Sequence, residues 1–207
     1  MDMKPFMNIV IAMDEKNAIG YENNTPWGSL PTDHNWYLTH STTLKDPLKR
    51  VAVITGRVTF EPIIKLGEEY LSKWHFIVIS KQTQEELHRK FEDLDRNNVD
   101  IVNSFEQATH RAKFLLDTPS AMIESVFLFG GVNPYEQALE LKLVKRVYLT
   151  RIFAEVPNCD ARVSKFDLSD FQRVKRPPGE VLAELDDQII EENGWKYQFQ
   201  VYDRQDS

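Results

Sequence analysis

The segment SVFLFGGVNPYE, residues 125–136, carries the clearest indication of the fold class. Five largely apolar residues end in two glycines, and Asn133 then precedes Pro134 and Glu136. This is the pattern of a capped helix, because a side chain at the cap and a Glu three residues later can bond two otherwise free backbone amides. The order strand, tight turn, helix is typical of an α/β protein.

The same alternation continues on both sides of this stretch. Runs rich in β-branched and aromatic residues occur at 8–13, 51–55, 75–80, 99–102, 125–129 and 146–152. Between them, capping boxes start helices at Thr83 and Ser104. Beyond residue 152 an alternating run, WKYQFQVYD at 195–203, predicts an antiparallel strand with residues 171–175 as its partner. The expected fold is α/β: a doubly wound, mostly parallel sheet with an antiparallel C-terminal hairpin and helices on both faces.

Composition narrows the classes of function. The 207 residues predict a single domain, 1–207, and the net charge of −7 without a basic stripe argues against nucleic acid. A lone Cys159 cannot form an internal disulfide, and the apolar run near the N-terminus is too short for a membrane span, so we expect a cytoplasmic protein without a membrane partner. The sequence has no metal-binding motif, so no metal is expected, and nothing in it demands more than a monomer.

The first candidate for chemistry is the segment IGYENNTPWGSLPTD, residues 19–33. In open α/β sheets ligands bind beyond the carboxyl ends of the strands, and this segment follows the first one. It ends at Asp33, which heads a predicted helix. The residue is either an acid beside a mobile flap or only a helix N-terminal residue favoured by the helix dipole.

Three other strand ends carry residues suited to a nucleotide. They are Gly56, Arg57 and Thr59; Ser80 and Lys81; and Gly130 and Gly131. Glycine lets a phosphate approach the backbone, Arg57 can bind phosphate through two hydrogen bonds, and Lys81 suits a 2′-phosphate. A solvated arginine and an ordinary polar turn are the alternatives, and the GxGxxG fingerprint of a Rossmann site is absent.

These four clusters, in this order and spacing, resemble the dihydrofolate reductase family, in its eukaryotic form, over nearly the whole chain. The matching pieces are NIVIAM with AIG, TPW followed by Asp33, DHNWY, VITGRVTF, VISK, FLFGG with Tyr135, YLTRI and NGWKYQFQVYDR.

The resemblance implies an NADPH-dependent oxidoreductase that reduces dihydrofolate to tetrahydrofolate, a step of one-carbon metabolism. Hydride passes to C6 of the pterin and a proton to N5. Asp33 takes the position of the ionisable pocket residue, which binds the pterin and promotes protonation at N5. Thr150 matches the hydroxyl that steadies this acid, and Trp27 matches the flap tryptophan that holds a water.

The resemblance also implies two sets of binding residues. The substrate set is Val10, Ile11, Tyr37, Ile63 and Phe129. The cofactor set is Ala12, Ile19, Gly20, Gly56, Arg57, Thr59, Ser80, Lys81, Gly130, Gly131, Val132, Asn133 and Tyr135. Gly130 and Gly131 match a pair joined by a cis peptide.

One departure concerns the glutamyl tail of folate. The family's arginine that clamps the tail's α-carboxylate aligns with Trp74, and acidic Glu69 stands in a segment that is usually basic. Losing such a clamp costs roughly 1.5–3 kcal/mol, unless Lys73 substitutes as a weaker point charge. Two alternatives therefore stand beside dihydrofolate reduction: an NADPH-dependent reductase of a pterin or other heterocycle without the tail, and a non-catalytic nucleotide-binding paralogue.

Overall fold

A computed structural model describes residues 3–91, 96–176 and 179–205, without the side chains of residues 84, 87, 88 and 96. The strands are β1 (Met7–Met13), β2 (Ala18–Gly20), β3 (Arg50–Gly56), β4 (Trp74–Ile79), β5 (Val99–Val102), β6 (Ile123–Leu128), β7 (Val144–Ile152), β8 (Ala161–Arg162), β9 (Phe171–Val174), β10 (Ile189–Glu192) and β11 (Trp195–Arg204). The α-helices are α1 (Pro31–Thr42), α2 (Arg57–Ile63), α3 (Glu68–Leu71), α4 (Gln84–Lys90), α5 (Phe105–Asp117) and α6 (Val132–Glu140).

The predicted strands and the fold class are confirmed. Every predicted run coincides with a strand to within two residues at each end. The reason is local, since β-branched and aromatic residues suit the pleated surface of a buried sheet. The parallel strands, the antiparallel C-terminal strands and the helices make a mixed α/β fold.

Contacts divide the chain into two units, the first being Met1–His40 with Tyr135–Ser207. In it β1 runs parallel to β7, and β7 pairs antiparallel with β11. Strand β11 also pairs with β10 and with β9, the partner expected from the sequence. The Trp36 indole stacks on the Phe199 ring at 4.4 Å between centroids, and both side chains are fully buried.

The second unit is Ser41–Pro134, with strands in the order β6, β3, β4, β5 and every pair parallel. Helix α5 packs on β3, β4 and β6. Its start is fixed by Ser104, whose hydroxyl accepts a hydrogen bond from the Gln107 amide at 3.1 Å. Parallel pairing brings the carboxyl ends of β6, β3 and β4 to one edge, which is where such sheets bind ligands.

Two details of the prediction were wrong. Strand β10 was missed, although the Asn193–Gly194 turn that joins it to β11, with φ of 50° and 83°, is a typical hairpin signal. Helix α6 begins at Val132, so Asn133 lies inside its first turn instead of capping it. The Glu136 carboxylate accepts hydrogen bonds from Ser164 and Lys165 instead of closing a capping box.

The box at Thr83 is confirmed, with reciprocal hydrogen bonds between Thr83 and Glu86 at 2.7 and 3.2 Å. Nowhere in the described parts of the chain is a helix both long and apolar enough to cross a membrane. The expectation of a single domain stays a prediction.

Candidate active site

Asp33 lies in the first turn of α1, within the first unit. Its carboxylate accepts a hydrogen bond of 2.6 Å from the Thr150 hydroxyl on β7, as the resemblance led us to expect. Burial raises the pKa of Asp33 to about 6, against the Thr150 hydrogen bond, which lowers it, and with the charge of Glu192, which raises it further. An acid that exchanges its proton near neutral pH is suited to general acid–base chemistry.

Tyr37 follows Asp33 by one helical turn. Burial and the charge of Asp33 hold the pKa of Tyr37 above its usual range, so the phenol stays protonated beside the acid. The Tyr135 hydroxyl donates to the Val10 carbonyl on β1 at 2.8 Å, a contact that the sequence did not predict. Ile11, next on this strand, is buried.

The segment from Ile19 to Asp33 is anchored at its start by the pairing of two short strands. Strand β2 pairs with β8, and a Cβ on Gly20 would lie 3.0 Å from the Ala161 Cβ, which explains the glycine. The next turn has positive φ at Glu22 and Asn23. Trp27 follows and is buried, with 4% of its surface exposed.

Asp14, which the sequence reasoning missed, fixes the backbone just before β2. Its buried carboxylate accepts hydrogen bonds from the amides of Lys16, Ala18 and Val156 at 2.7–2.8 Å. An Asp that bonds amides two and four residues later is a common way to shape a turn. Ala12, two residues before Asp14, lies opposite Thr150 in the β1–β7 pair.

The glycines of the second unit lie together at the strand ends. The Gly56 amide donates to the Gly130 carbonyl at 2.7 Å, and the predicted cis peptide between Gly130 and Gly131 is present. A Cβ on Gly131 would lie 4.0 Å from the Thr59 hydroxyl, so this hydroxyl faces the glycine pair. Val132 follows immediately and begins α6.

Some of the charged residues at this edge of the sheet already form ion pairs within the protein. The Arg57 guanidinium pairs with Glu61 at 2.5 Å, and Lys90 pairs with the same carboxylate at 2.8 Å. Ser80 accepts a hydrogen bond from the Gln82 amide, while Lys81 is exposed. A phosphate bound here would therefore compete with Glu61 for Arg57.

Trp74, the residue aligned with the family's arginine, belongs to the core of the second unit. It is fully buried, and its indole N–H donates to the Ser41 carbonyl at 2.9 Å. Its ring meets Phe129 edge-on at 5.5 Å. Ile63, on α2, is buried and Lys73 is exposed.

The sequence profile of dihydrofolate reductase matches residues 6–204. The chain belongs to the dihydrofolate reductase family. A Caenorhabditis elegans protein named putative dihydrofolate reductase is 31% identical over 194 residues, which are 93% of this chain and 94% of that protein. The Schistosoma mansoni dihydrofolate reductase is 27% identical over 201 residues, with 95% of each chain covered.

The solved structure of Schistosoma mansoni dihydrofolate reductase matches with a TM-score of 0.70 at 26% identity, covering 98% of this chain and 100% of that one. The resemblance inferred from the four clusters is thus confirmed at the level of family and fold. The family is one of oxidoreductases that act on a small folate substrate with a nicotinamide cofactor. In the described residues no three His, Cys, Asp or Glu side chains gather as a metal site would need.

Sequence reasoning also missed the contacts made by the tip of the β10–β11 hairpin. The Glu192 carboxylate accepts hydrogen bonds from the Thr32 amide and hydroxyl and from the Tyr197 hydroxyl. The Asn193 amide donates to the Ser29 carbonyl at 2.9 Å. The Asn-Gly turn signal was in the sequence, but nothing local indicates which segment the hairpin meets.

Proposed function

We propose that the protein reduces dihydrofolate to tetrahydrofolate with NADPH, adding hydride at C6 and a proton at N5. The observation that carries this proposal is the partly buried Asp33, held by Thr150 and with its pKa raised to about 6. Together with family membership, it supports this proposal because pterin reduction needs an acid in the pocket whose pKa lies near neutral pH.

Four residues of the first unit have a role in this proposal. Asp33 accepts hydrogen bonds from the 2-amino group and N3 of the pterin through its two oxygens. Thr150 fixes one of those oxygens, so the carboxylate keeps its orientation. Tyr37 packs against the substrate, Trp27 holds a water near N5, and both exclude bulk solvent.

The residues of the second unit fit a dinucleotide phosphate. The Gly56 amide donates to the Gly130 carbonyl, which brings the two strand ends together, and the Thr59 hydroxyl faces the glycine pair. Arg57 and Lys81 then supply positive charge for the phosphates. NADPH, when bound, supplies the hydride.

The test is NADPH oxidation, followed by absorbance, with purified protein and dihydrofolate. Asp33→Asn keeps the size and one acceptor but loses the acid, so we expect kcat/KM to fall about 10²-fold or more. In the wild type, kcat/KM should fall as the pH rises through the pKa of Asp33, because the complex must carry one proton, which leaves Asp33 ionised when N5 takes it up. The control is Asp117→Asn, which removes an exposed carboxylate paired with Lys113 and should leave turnover unchanged. No turnover by the wild type would refute the proposal and favour a non-catalytic paralogue.

Cofactor choice has its own test. The double variant Arg57→Ala, Lys81→Ala should show a weaker preference for NADPH over NADH, because it lacks two positive charges that attract the 2′-phosphate. Equal use of both cofactors by the wild type would contradict the assignment.

A second candidate substrate, a dihydropterin without the glutamyl tail, is favoured by Trp74. Its buried indole offers no cation at the position of the carboxylate clamp. The comparison is wild-type kcat/KM for dihydrobiopterin against dihydrofolate. If the tail is not bound, the ratio should be near or above one, whereas a strong preference for dihydrofolate would leave the first candidate standing alone.

A further inference from the structure

The N-terminus of α1 is closed by a residue from far along the chain. Thr32 is the second residue of this helix, and its amide has no partner within the helix. Glu192, 160 residues away, accepts a hydrogen bond from that amide and a second, of 2.8 Å, from the Thr32 hydroxyl. The Tyr197 hydroxyl donates a third, also of 2.8 Å, so three donors converge on one carboxylate.

This places two carboxylates at one helix terminus. Asp33 directly follows Thr32, and the charge of Glu192 acts on it. A helix N-terminus stabilises nearby anions, which by itself would favour ionised Asp33. Because Glu192 occupies the free amide with its own negative charge, it opposes that effect, and like charges disfavour ionisation of the neighbour.

We propose that Glu192 is a positioning residue for Asp33, holding the first turn of α1 and keeping a second carboxylate beside the acid. The inference rests on the proposed function, in which Asp33 must exchange a proton near neutral pH. Glu192 touches neither substrate nor cofactor in this scheme. It acts through Thr32 and through its charge.

Other groups of the same unit also face Asp33. Thr150 on β7 donates a hydrogen bond to it. The charge of Asp33 raises the pKa of Tyr37 on α1 and of Tyr197 on β11. The pKa of Tyr197 is raised by burial and by Glu192, so its hydroxyl stays protonated and donates. Glu192 is therefore the one of these groups that brings a second negative charge.

The experiment measures the carboxyl pKa of Asp33 in the ligand-free protein, by NMR titration of protein with ¹³C-labelled Asp, with the signal assigned through Asp33→Asn. Glu192→Gln keeps an acceptor for Thr32 but removes the charge. We expect the pKa of Asp33 to fall by about half a unit to one unit. The matched control is Glu191→Gln, which removes a charge from the exposed neighbour paired with Lys196 and should leave Asp33 unmoved.

An unchanged pKa of Asp33 in Glu192→Gln would overturn the proposal and reduce Glu192 to a helix cap. If that variant does not fold, Tyr197→Phe decides. It keeps the charge of Glu192 and removes a donor that partly neutralises this charge, so the pKa of Asp33 should rise, and an unchanged or lower pKa would overturn the proposal. Because no turnover is measured, a protein that fails to reduce dihydrofolate would refute the proposed function and leave this titration result intact.

Discussion

Replacing Asp33 by Asn should stabilise the protein at neutral pH. The pKa of this acid is about 6 in the folded chain against an ordinary 3.8. A group whose pKa is raised by folding stabilises the fold at low pH, and that contribution is lost as the pH rises through the folded pKa. Two units at 1.36 kcal/mol each give about 3 kcal/mol as an upper value. Since the side chain keeps some contact with solvent, we expect about 2 kcal/mol.

The assay is urea or thermal unfolding of wild type and Asp33→Asn at two pH values. At about pH 7.5 the variant should gain ~2 kcal/mol, or roughly 4–8 °C in Tm for a chain of this length. At about pH 4.5 the gain should shrink to about a third, because the wild-type acid is then protonated in the folded state. Asp117→Asn serves as the exposed control, with a change within about 0.5 kcal/mol. An equal gain at both pH values, or none at the higher one, would refute the electrostatic reasoning.

Three further variants test the packing by urea unfolding. Trp74→Phe should cost about 1–3 kcal/mol, because the Ser41 carbonyl loses its indole donor and a cavity opens; a neutral effect would place Trp74 outside the core. Arg176→Ala should cost about 3–5 kcal/mol, since it strands the buried Asp186 carboxylate that it pairs with at 2.6 Å; a loss below about 1 kcal/mol would show that the pair is not buried in solution. Ser104→Ala should cost about 1 kcal/mol through the lost cap of α5, and an unchanged midpoint would contradict that hydrogen bond.

The secondary structure was predictable because its causes are local. β-branched runs, capping boxes and glycine pairs act within a few residues, and they located the main strands and the start of α5. The errors arose where contacts with distant residues outweighed the local signal. The predicted cap at Asn133 would start the helix at Pro134, but α6 begins two residues earlier, at Val132, and the Glu136 carboxylate bonds to Ser164 instead.

Individual residues of the candidate site were predicted, but most of the contacts between them were not. Asp33 and Thr150 came from the resemblance, and the structure joins them across 117 residues by a hydrogen bond. Neither residue carries a local signal of the other. The alternative that Asp33 is only a helix N-terminal residue is half right, since it lies there and also bonds to β7.

The α/β fold class, the strand positions and the family could be inferred from the sequence alone, because periodicity, turn residues and collinear motifs are properties of short stretches. The tertiary structure was needed to see that Trp74 is a core residue bonded to Ser41 and that Glu192 lies at the N-terminus of α1. Both depend on which distant segments the sheet brings together, and burial and charge act through space. The pKa of Asp33 follows from its burial and from its neighbours Thr150 and Glu192, and not from its place in the chain.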